Sequence, residues 1–513
     1  MENPLTSSTS HKTDWVAFFG ASALVLATCI PLVLFPGTGA TLLPQLYDWV
    51  ANNFGPFYLL AGSATIIFLL WLALGRFGTV RIGGADTQAE FTQLSWAGML
   101  FCAGVGAGLM YWAAIEWAYY LETPPFGLTA RSQEAQNWAS AYGLFHWGPS
   151  AWALYCLPTL AIAYAYHNRS AKVLRLSTGC LGFSWISPET FGGRVIDLLF
   201  MISLLGGAGS SLGFTTPMIA ALIARIFGVE PTFGMEIGVM AVIIAVFAAS
   251  AAAGIRKGIK RLTDLNIWLL FAFLAFVLIC GPTVWLIKAG LNATGLMIQN
   301  FVHLNTWTEP FGETGFVKDW TIFYWAWWVA YGPVVGLFVA RISRGRTIRE
   351  IVFGMLGFGS LGAGLFFMIL GNFGLWLELK QGLDLTGMIN NDGGSKAIAE
   401  MIFQLPLPGL AAAVFAVSAI VFSATTYDSA SYILASSATR SLPAGKDPAA
   451  WQRVFWALML GLLPLSLLFV GGQRVVQTAA LIVSLPLLVI GVLIALSLLK
   501  LLRADHPKAG KQD

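Results

Sequence analysis

Charge is what this chain has least of. Only 11% of its 513 residues are Asp, Glu, Lys or Arg, while 57% are hydrophobic; water-soluble domains carry about 25% charged residues. A chain of this length cannot bury so much apolar surface in one water-soluble core, because such cores stop growing and split into domains. The surplus has to face lipid. The net charge of +4 is small and the basic residues fall in short loops, so neither nucleic acid nor another acidic partner is indicated. Cysteine is scarce too. Cys29, Cys102, Cys156, Cys180 and Cys280 show no CxxC and no Cys/His ligand spacing, and read as small hydrophobes. The polar start, MENPLTSSTSHKTDW, lacks a basic stretch followed by a cleavage site, so no removable signal peptide is expected. No polar stretch is long enough for a soluble catalytic domain.

What is present is a succession of apolar runs. A helix needs about 20 apolar residues to cross the hydrocarbon core. Such runs lie near 16–36, 55–75, 95–121, 143–166, 193–226, 235–254, 263–290, 320–340, 349–377, 407–439, 450–470 and 475–500. The pattern predicts an all-α polytopic membrane protein with twelve transmembrane helices, several long enough to be tilted or broken. Lys and Arg gather in the loops after even-numbered spans, as in Arg256, Lys257, Lys260 and Arg261, or Arg341, Arg344, Arg346 and Arg349. Loops after odd-numbered spans hold few, such as Arg131 and Lys288. The richer side is cytoplasmic, and an even number of spans puts both termini there.

Two spans carry helix-weakening residues. In the third, Gly104, Gly106 and Gly108 alternate, each costing about 0.8–1.0 kcal/mol of helix relative to alanine and letting a ligand approach the backbone. Packing between membrane helices would explain such a stripe by itself. The eighth span has Gly332-Pro333, where proline removes a donor and clashes with the preceding turn. Breaks at corresponding places in two five-helix halves point to a transporter site near the bilayer midplane.

Aromatic residues crowd beside these breaks. Trp15, Trp49 and Trp320 suit an interfacial belt. Trp327, Trp328 and Tyr331 suit it poorly: they lie about 10–12 Å into the helix counted from Trp320, within an arc of about 100°. Trp147, Trp152 and Tyr155 in the fourth span spread over about 140°. Ordinary core packing is one explanation. Ring faces without a dense acidic cluster also suit a quaternary ammonium ion, which donates no conventional hydrogen bond and gains about 2 kcal/mol or more per desolvated cation–π contact. Glu116 and Asp428 are ionisable residues inside spans and hence functional candidates. An intramembrane enzyme would need a nucleophile and base facing each other; His146 and Glu116 read as isolated, and no channel filter or charge ring is visible.

At these residues the sequence resembles the betaine/choline/carnitine transporter family. Asp319 to Glu350, DWTIFYWAWWVAYGPVVGLFVARISRGRTIRE, looks like the family signature almost throughout, and Phe145–Gly148 (FHWG), the glycine stretch and Thr425–Ser431 (TTYDSAS) follow in family order. The resemblance implies a leucine-transporter-like fold of two inverted five-helix repeats. The chain then divides into an N-terminal tail with two peripheral helices (1–94), a first repeat (95–290), a periplasmic connection (291–318), a second repeat (319–502) and a short cytoplasmic tail (503–513). It implies a homotrimer in the inner membrane, with no enzymatic activity and no cofactor beyond a coupling ion. A substrate cage of Trp147, Trp152, Tyr155, Trp327, Trp328 and Tyr331 follows, with Gly104, Gly106, Gly108 and Tyr119 beside it. Glycine at 108, where choline carriers of the family often have an acidic residue, favours a zwitterion such as glycine betaine. Tyr119 and Tyr331 look like carnitine exchangers, so choline uptake and carnitine exchange stay open. For sodium, the resemblance implies hydroxyls of Thr425 and Thr426 with backbone carbonyls of Cys102, Val105 and Phe422. The place where sodium-independent exchangers carry an arginine corresponds to the uncharged Asn266, which favours sodium coupling, with protons as the rival ion.

Overall fold

The computed structural model describes residues 13–507 except 104–105, 172, 254–255, 441–447 and 471–472; at 210, 248, 250–253, 256–263, 468–469, 473–474 and 476 only the backbone is described. The chain is almost entirely helical. In order the helices are α1 (Trp15–Leu34), α2 (Pro36–Leu74), α3 (Gln93–Ala103), α4 (Ala107–Glu122), α5 (Gln133–His146), α6 (Pro149–His167), α7 (Phe191–Phe227), α8 (Phe233–Ala253), α9 (Arg256–Cys280), α10 (Thr283–Gln299) and α11 (Phe301–Thr306). They continue with α12 (Val317–Ile342) and α13 (Ile348–Gln381), then α14 (Leu385–Asp392), α15 (Gly394–Phe403), α16 (Pro408–Ser437), α17 (Ala450–Val470) and α18 (Gln473–Asp505). Among the described residues eight helices are long and apolar enough to cross a membrane, and ten if each of two bent pairs is one span. This is a multi-pass membrane protein.

The glycine stretch breaks its span as expected. α3 ends at Ala103, α4 begins at Ala107, and their axes differ by 62°. Gly104 and Val105, between them, lie outside the described residues. The seventh run departs from expectation. Hydropathy carries it to residue 290, but the chain turns by 111° between α9 and α10. Gly281-Pro282 sits at the corner, where proline cannot continue the hydrogen-bond ladder and glycine tolerates the turn.

The expected break at Gly332-Pro333 is not there: α12 runs through it. The glycine serves packing instead. A Cβ on Gly332 would lie 3.3 Å from the Leu154 carbonyl oxygen and the Tyr155 ring, and one on Gly336 would lie 3.1 Å from the Thr159 amide nitrogen. This small-residue stripe at i, i+4 brings α12 against the backbone of α6. The irregularity of α12 lies at its start, a π-helical turn over Val317–Ile322. On another face, Gly55 and Gly62 of α2 sit under Ile322 and Trp325, whose atoms a Cβ would meet at 2.3 and 2.4 Å. Trp325 therefore faces α2.

The aromatic belt also needs one correction. Trp15 and Trp49 are more than half exposed, as an interfacial belt requires, but Trp320 is only 6% exposed. It packs on Tyr119 and Tyr120 with centroids 5.0 and 5.1 Å away. The π-helical turn directs it inward.

Candidate functional site

The centre of the bundle is built by three helix segments. α5 ends at His146, Gly148 turns the chain, and Pro149 opens α6, where its missing N–H costs nothing. A Cβ on Gly148 would stand 2.2 Å from the Leu144 carbonyl oxygen, so no other residue fits this turn. The turn leaves Trp147 at the junction and puts Trp152 and Tyr155 on the first turns of α6. α12, held close by Gly332 and Gly336, supplies Trp327 and Trp328.

These rings meet. Trp327 and Trp328 stack with centroids 5.3 Å apart and planes 8° from parallel. Trp147 stands edge-on to both, 4.7 Å from Trp328 and 5.9 Å from Trp327. Tyr155 stands edge-on to Trp328 at 5.7 Å, and Trp152 to Tyr155 at 5.5 Å. All five are buried. Edge-to-face contacts of this kind set the positive edge of one ring against the negative face of another. The indole N–H groups are committed elsewhere: Trp327 donates to the Gly207 carbonyl at 3.2 Å and Trp328 to the His146 carbonyl at 2.9 Å. The orientation of both rings is thus fixed by the backbone.

Other expected residues fall at different distances from this cluster. A Cβ on Gly108 would lie 3.4 Å from the Trp327 ring and 2.9 Å from the Ser211 hydroxyl, so Gly108 borders the cluster directly. Tyr331, half-buried, lies across from Gly207 of α7, where an added Cβ would stand 4.0 Å from its ring. Gly106 is the N-cap of α4, with an extended backbone. Tyr119 is one layer away, on Trp320, which in turn stacks on Tyr324 at 6.4 Å. Trp152 is partly turned aside, since its indole covers Gly359 of α13, where a Cβ would overlap it at 2.3 Å.

Of the residues expected around sodium, Thr425 donates its hydroxyl to the Phe422 carbonyl at 3.1 Å, the back-bond that threonines make in apolar helices. That bond brings one hydroxyl and one carbonyl oxygen together on α16. Thr426 and Cys102 are half-buried, and Val105 lies outside the described residues. Asn266 is buried, and its side-chain amide donates to the Ser418 carbonyl at 3.1 Å, joining α9 to α16. Asp428 is engaged by Arg453 at 2.9 Å.

Sequence spacing did not reveal a polar cluster behind the rings. Glu116 and His146, read as isolated, face each other at 3.6 Å with neither exposed to solvent. Tyr120 bridges them, in contact with Glu116 Oε1 and 2.7 Å from His146 Nδ1. His146 Nε2 reaches the Thr321 hydroxyl at 3.1 Å. Glu116 Oε2 also accepts from Tyr324 and, at 3.1 Å, from the Trp147 indole. The i, i+4 spacing of Glu116 and Tyr120, and of Tyr324 and Trp328, was the only signal available.

A buried cluster of aromatic rings on three helix segments suits carriage of a solute better than covalent chemistry. The family profile described as betaine/carnitine/choline family transporter matches residues 16–507. An uncharacterized transporter of Escherichia coli K12, YeaV, is 34% identical over 82% of this chain and 88% of its own length. A carnitine transporter of Acinetobacter baumannii is 32% identical over 90% of this chain and 84% of its own. A glycine betaine transporter of Acinetobacter baylyi is 32% identical over 96% of this chain and 74% of its own. The chain is a transporter, not an enzyme, and it belongs to the betaine/carnitine/choline transporter family.

Proposed function

We propose that this protein takes up glycine betaine by sodium symport and holds the trimethylammonium group against Trp147, Tyr155, Trp327 and Trp328, with Trp152 and Tyr331 closing the cage. The observation that carries the reading is the buried stack of Trp327 on Trp328 faced edge-on by Trp147 and Tyr155. Ring faces fixed by backbone hydrogen bonds offer a quaternary ammonium ion cation–π attraction in a desolvated setting. Glycine at 106 and 108, and by the resemblance at 104, would let the substrate's carboxylate approach the backbone of the broken span. Sodium, as co-substrate, is a hard cation that wants several oxygens, and the paired Thr425 hydroxyl and Phe422 carbonyl supply that chemistry on α16; Thr426 and the carbonyls of Cys102 and Val105 complete the proposed set.

The architecture we propose has twelve spans. α6 (19 residues) and α8 (21 residues) join the ten already counted. Residues 95–290 and 319–502 form two inverted repeats, three copies assemble as a homotrimer, and both termini face the cytoplasm of a cell with this protein in its inner membrane.

Carnitine is the second reading, favoured by Tyr331 and Tyr119 and by the similarity to a protein named a carnitine transporter. A radiolabelled uptake panel in proteoliposomes decides between them, using betaine, carnitine and choline with and without a sodium gradient. Betaine uptake that requires the gradient supports the first reading. Carnitine uptake that needs only internal carnitine supports the second and overturns the first.

A further inference from the structure

Glu116 is a buried carboxylate among aromatic rings, and its contacts account for both oxygens. Tyr120 donates to Oε1; Tyr324 and the Trp147 indole donate to Oε2, the latter at 3.1 Å. Three donors thus converge on this carboxylate, and of them the indole N–H can only donate. With Tyr120 donating to Glu116, His146 donates from Nδ1 to the Tyr120 oxygen and accepts at Nε2 from Thr321, so every group in the chain has a partner. Glu116 is therefore not placed to meet a substrate cation. It does reach both walls of the cage. Trp147 stands on one wall, while Tyr324 lies under the other, stacked 5.7 Å from Trp328 and 6.2 Å from Trp327.

We propose, on the basis of the cage assigned above, that Glu116 is a positioning residue that also sets the cage's preference for cations. An anionic acceptor on the indole N–H polarises the ring, and charge-assisted bonds of this kind are about twice as strong as neutral ones. Polarisation leaves more electron density on the face that meets an ammonium ion, and the low local dielectric preserves the effect. A ligand of the same shape whose tert-butyl group carries no charge gains nothing from it.

The test compares glycine betaine with its carbon isostere 3,3-dimethylbutanoate, which replaces the trimethylammonium group by a tert-butyl group and keeps the carboxylate. Binding to the purified full chain in nanodiscs is measured for wild type, Glu116→Gln and Tyr324→Phe. Glutamine retains an acceptor for Trp147 and Tyr324, and its amide can donate to Tyr120, which turns its own hydroxyl to His146. In Glu116→Gln the preference for betaine over the isostere falls about tenfold, while isostere binding is nearly unchanged. Tyr324→Phe loosens the wall and weakens both ligands alike, with the preference retained because the carboxylate still holds Trp147. Equal loss of both ligands in Glu116→Gln would overturn the inference and leave the cage standing. A fall of the preference in Tyr324→Phe would also overturn it, and this variant serves if Glu116→Gln does not fold. A wild type that binds the isostere as tightly as betaine would instead overturn the cage itself, and the inference with it.

Discussion

The indole of Trp328 caps α5: its N–H donates to the carbonyl of His146, the last residue of that helix, at 2.9 Å. The last carbonyls of a helix lack partners within it, so a side chain from α12 completes the end of α5 and is held by it. Trp328→Leu removes both the ring and the cap, and should weaken betaine binding by about 1–2 kcal/mol or more. Trp328→Phe loses the cap but keeps a ring face and should retain part of the affinity. Leucine and phenylalanine variants that bind betaine equally well would mean that packing alone suffices.

Gly108 borders Trp327 so closely that its replacement reports on charge inside the cage. Gly108→Asp would place a carboxylate beside the ammonium group of choline and against the carboxylate of betaine. The Ser211 hydroxyl would stand 2.9 Å from the new Cβ, so the variant is best made together with Ser211→Ala. The choline-to-betaine affinity ratio should rise by about tenfold or more, since like charges brought together in a binding site cost several kcal/mol. Competition binding measures it, and an unchanged ratio in a folded protein contradicts the placement of Gly108.

Much of this architecture was legible in the sequence, because lipid imposes long apolar runs and the tryptophan run stands out from them. Two errors had the same physical root. Gly332-Pro333 and Gly281-Pro282 are both glycine–proline pairs, yet the first lies within a continuous α12 and the second turns the chain by 111°. Only the neighbours decide: Gly332 is pressed against the backbone of α6. The pairing of Glu116 with His146 was illegible for another reason. It joins residues 30 apart on different helices, through the hydroxyl of a third, and no spacing rule covers such a contact.

Sodium coupling makes a separate prediction. Replacing Thr425 and Thr426 by alanine removes two hydroxyl oxygens and, with them, the side-chain bond to the Phe422 carbonyl. The sodium concentration for half-maximal uptake should rise about tenfold or more, as loss of a ligand group from a buried ion site entails, while betaine binding at saturating sodium changes little. Wild-type uptake that is equally fast in sodium-free medium, driven by a proton gradient or by exchange, would contradict the assignment.

Arg131 ties two helix ends together. It bonds Glu122 at the end of α4 and Glu378 near the end of α13, each at 2.5 Å. The Glu378 side chain is 2% exposed and accepts also from the amides of Leu385 and Thr386. Arg131→Ala leaves the buried carboxylate its amide donors but takes away its cation; because the arginine itself is half exposed, the expected loss is about 1–3 kcal/mol. Adding Glu378→Gln should recover most of that loss. Thermal unfolding in detergent, run as a double-mutant cycle, checks it; additive losses would show that the two residues act independently.

The claim that a positive charge, not shape, is what the cage selects can be tested on the unaltered protein. Radiolabelled betaine bound to the wild-type chain is displaced in parallel by unlabelled betaine and by 3,3-dimethylbutanoate. The account predicts that the isostere needs a concentration at least about tenfold higher, the loss of one cation–π contact being enough for that factor. Displacement by the isostere at the same concentration as betaine would contradict it.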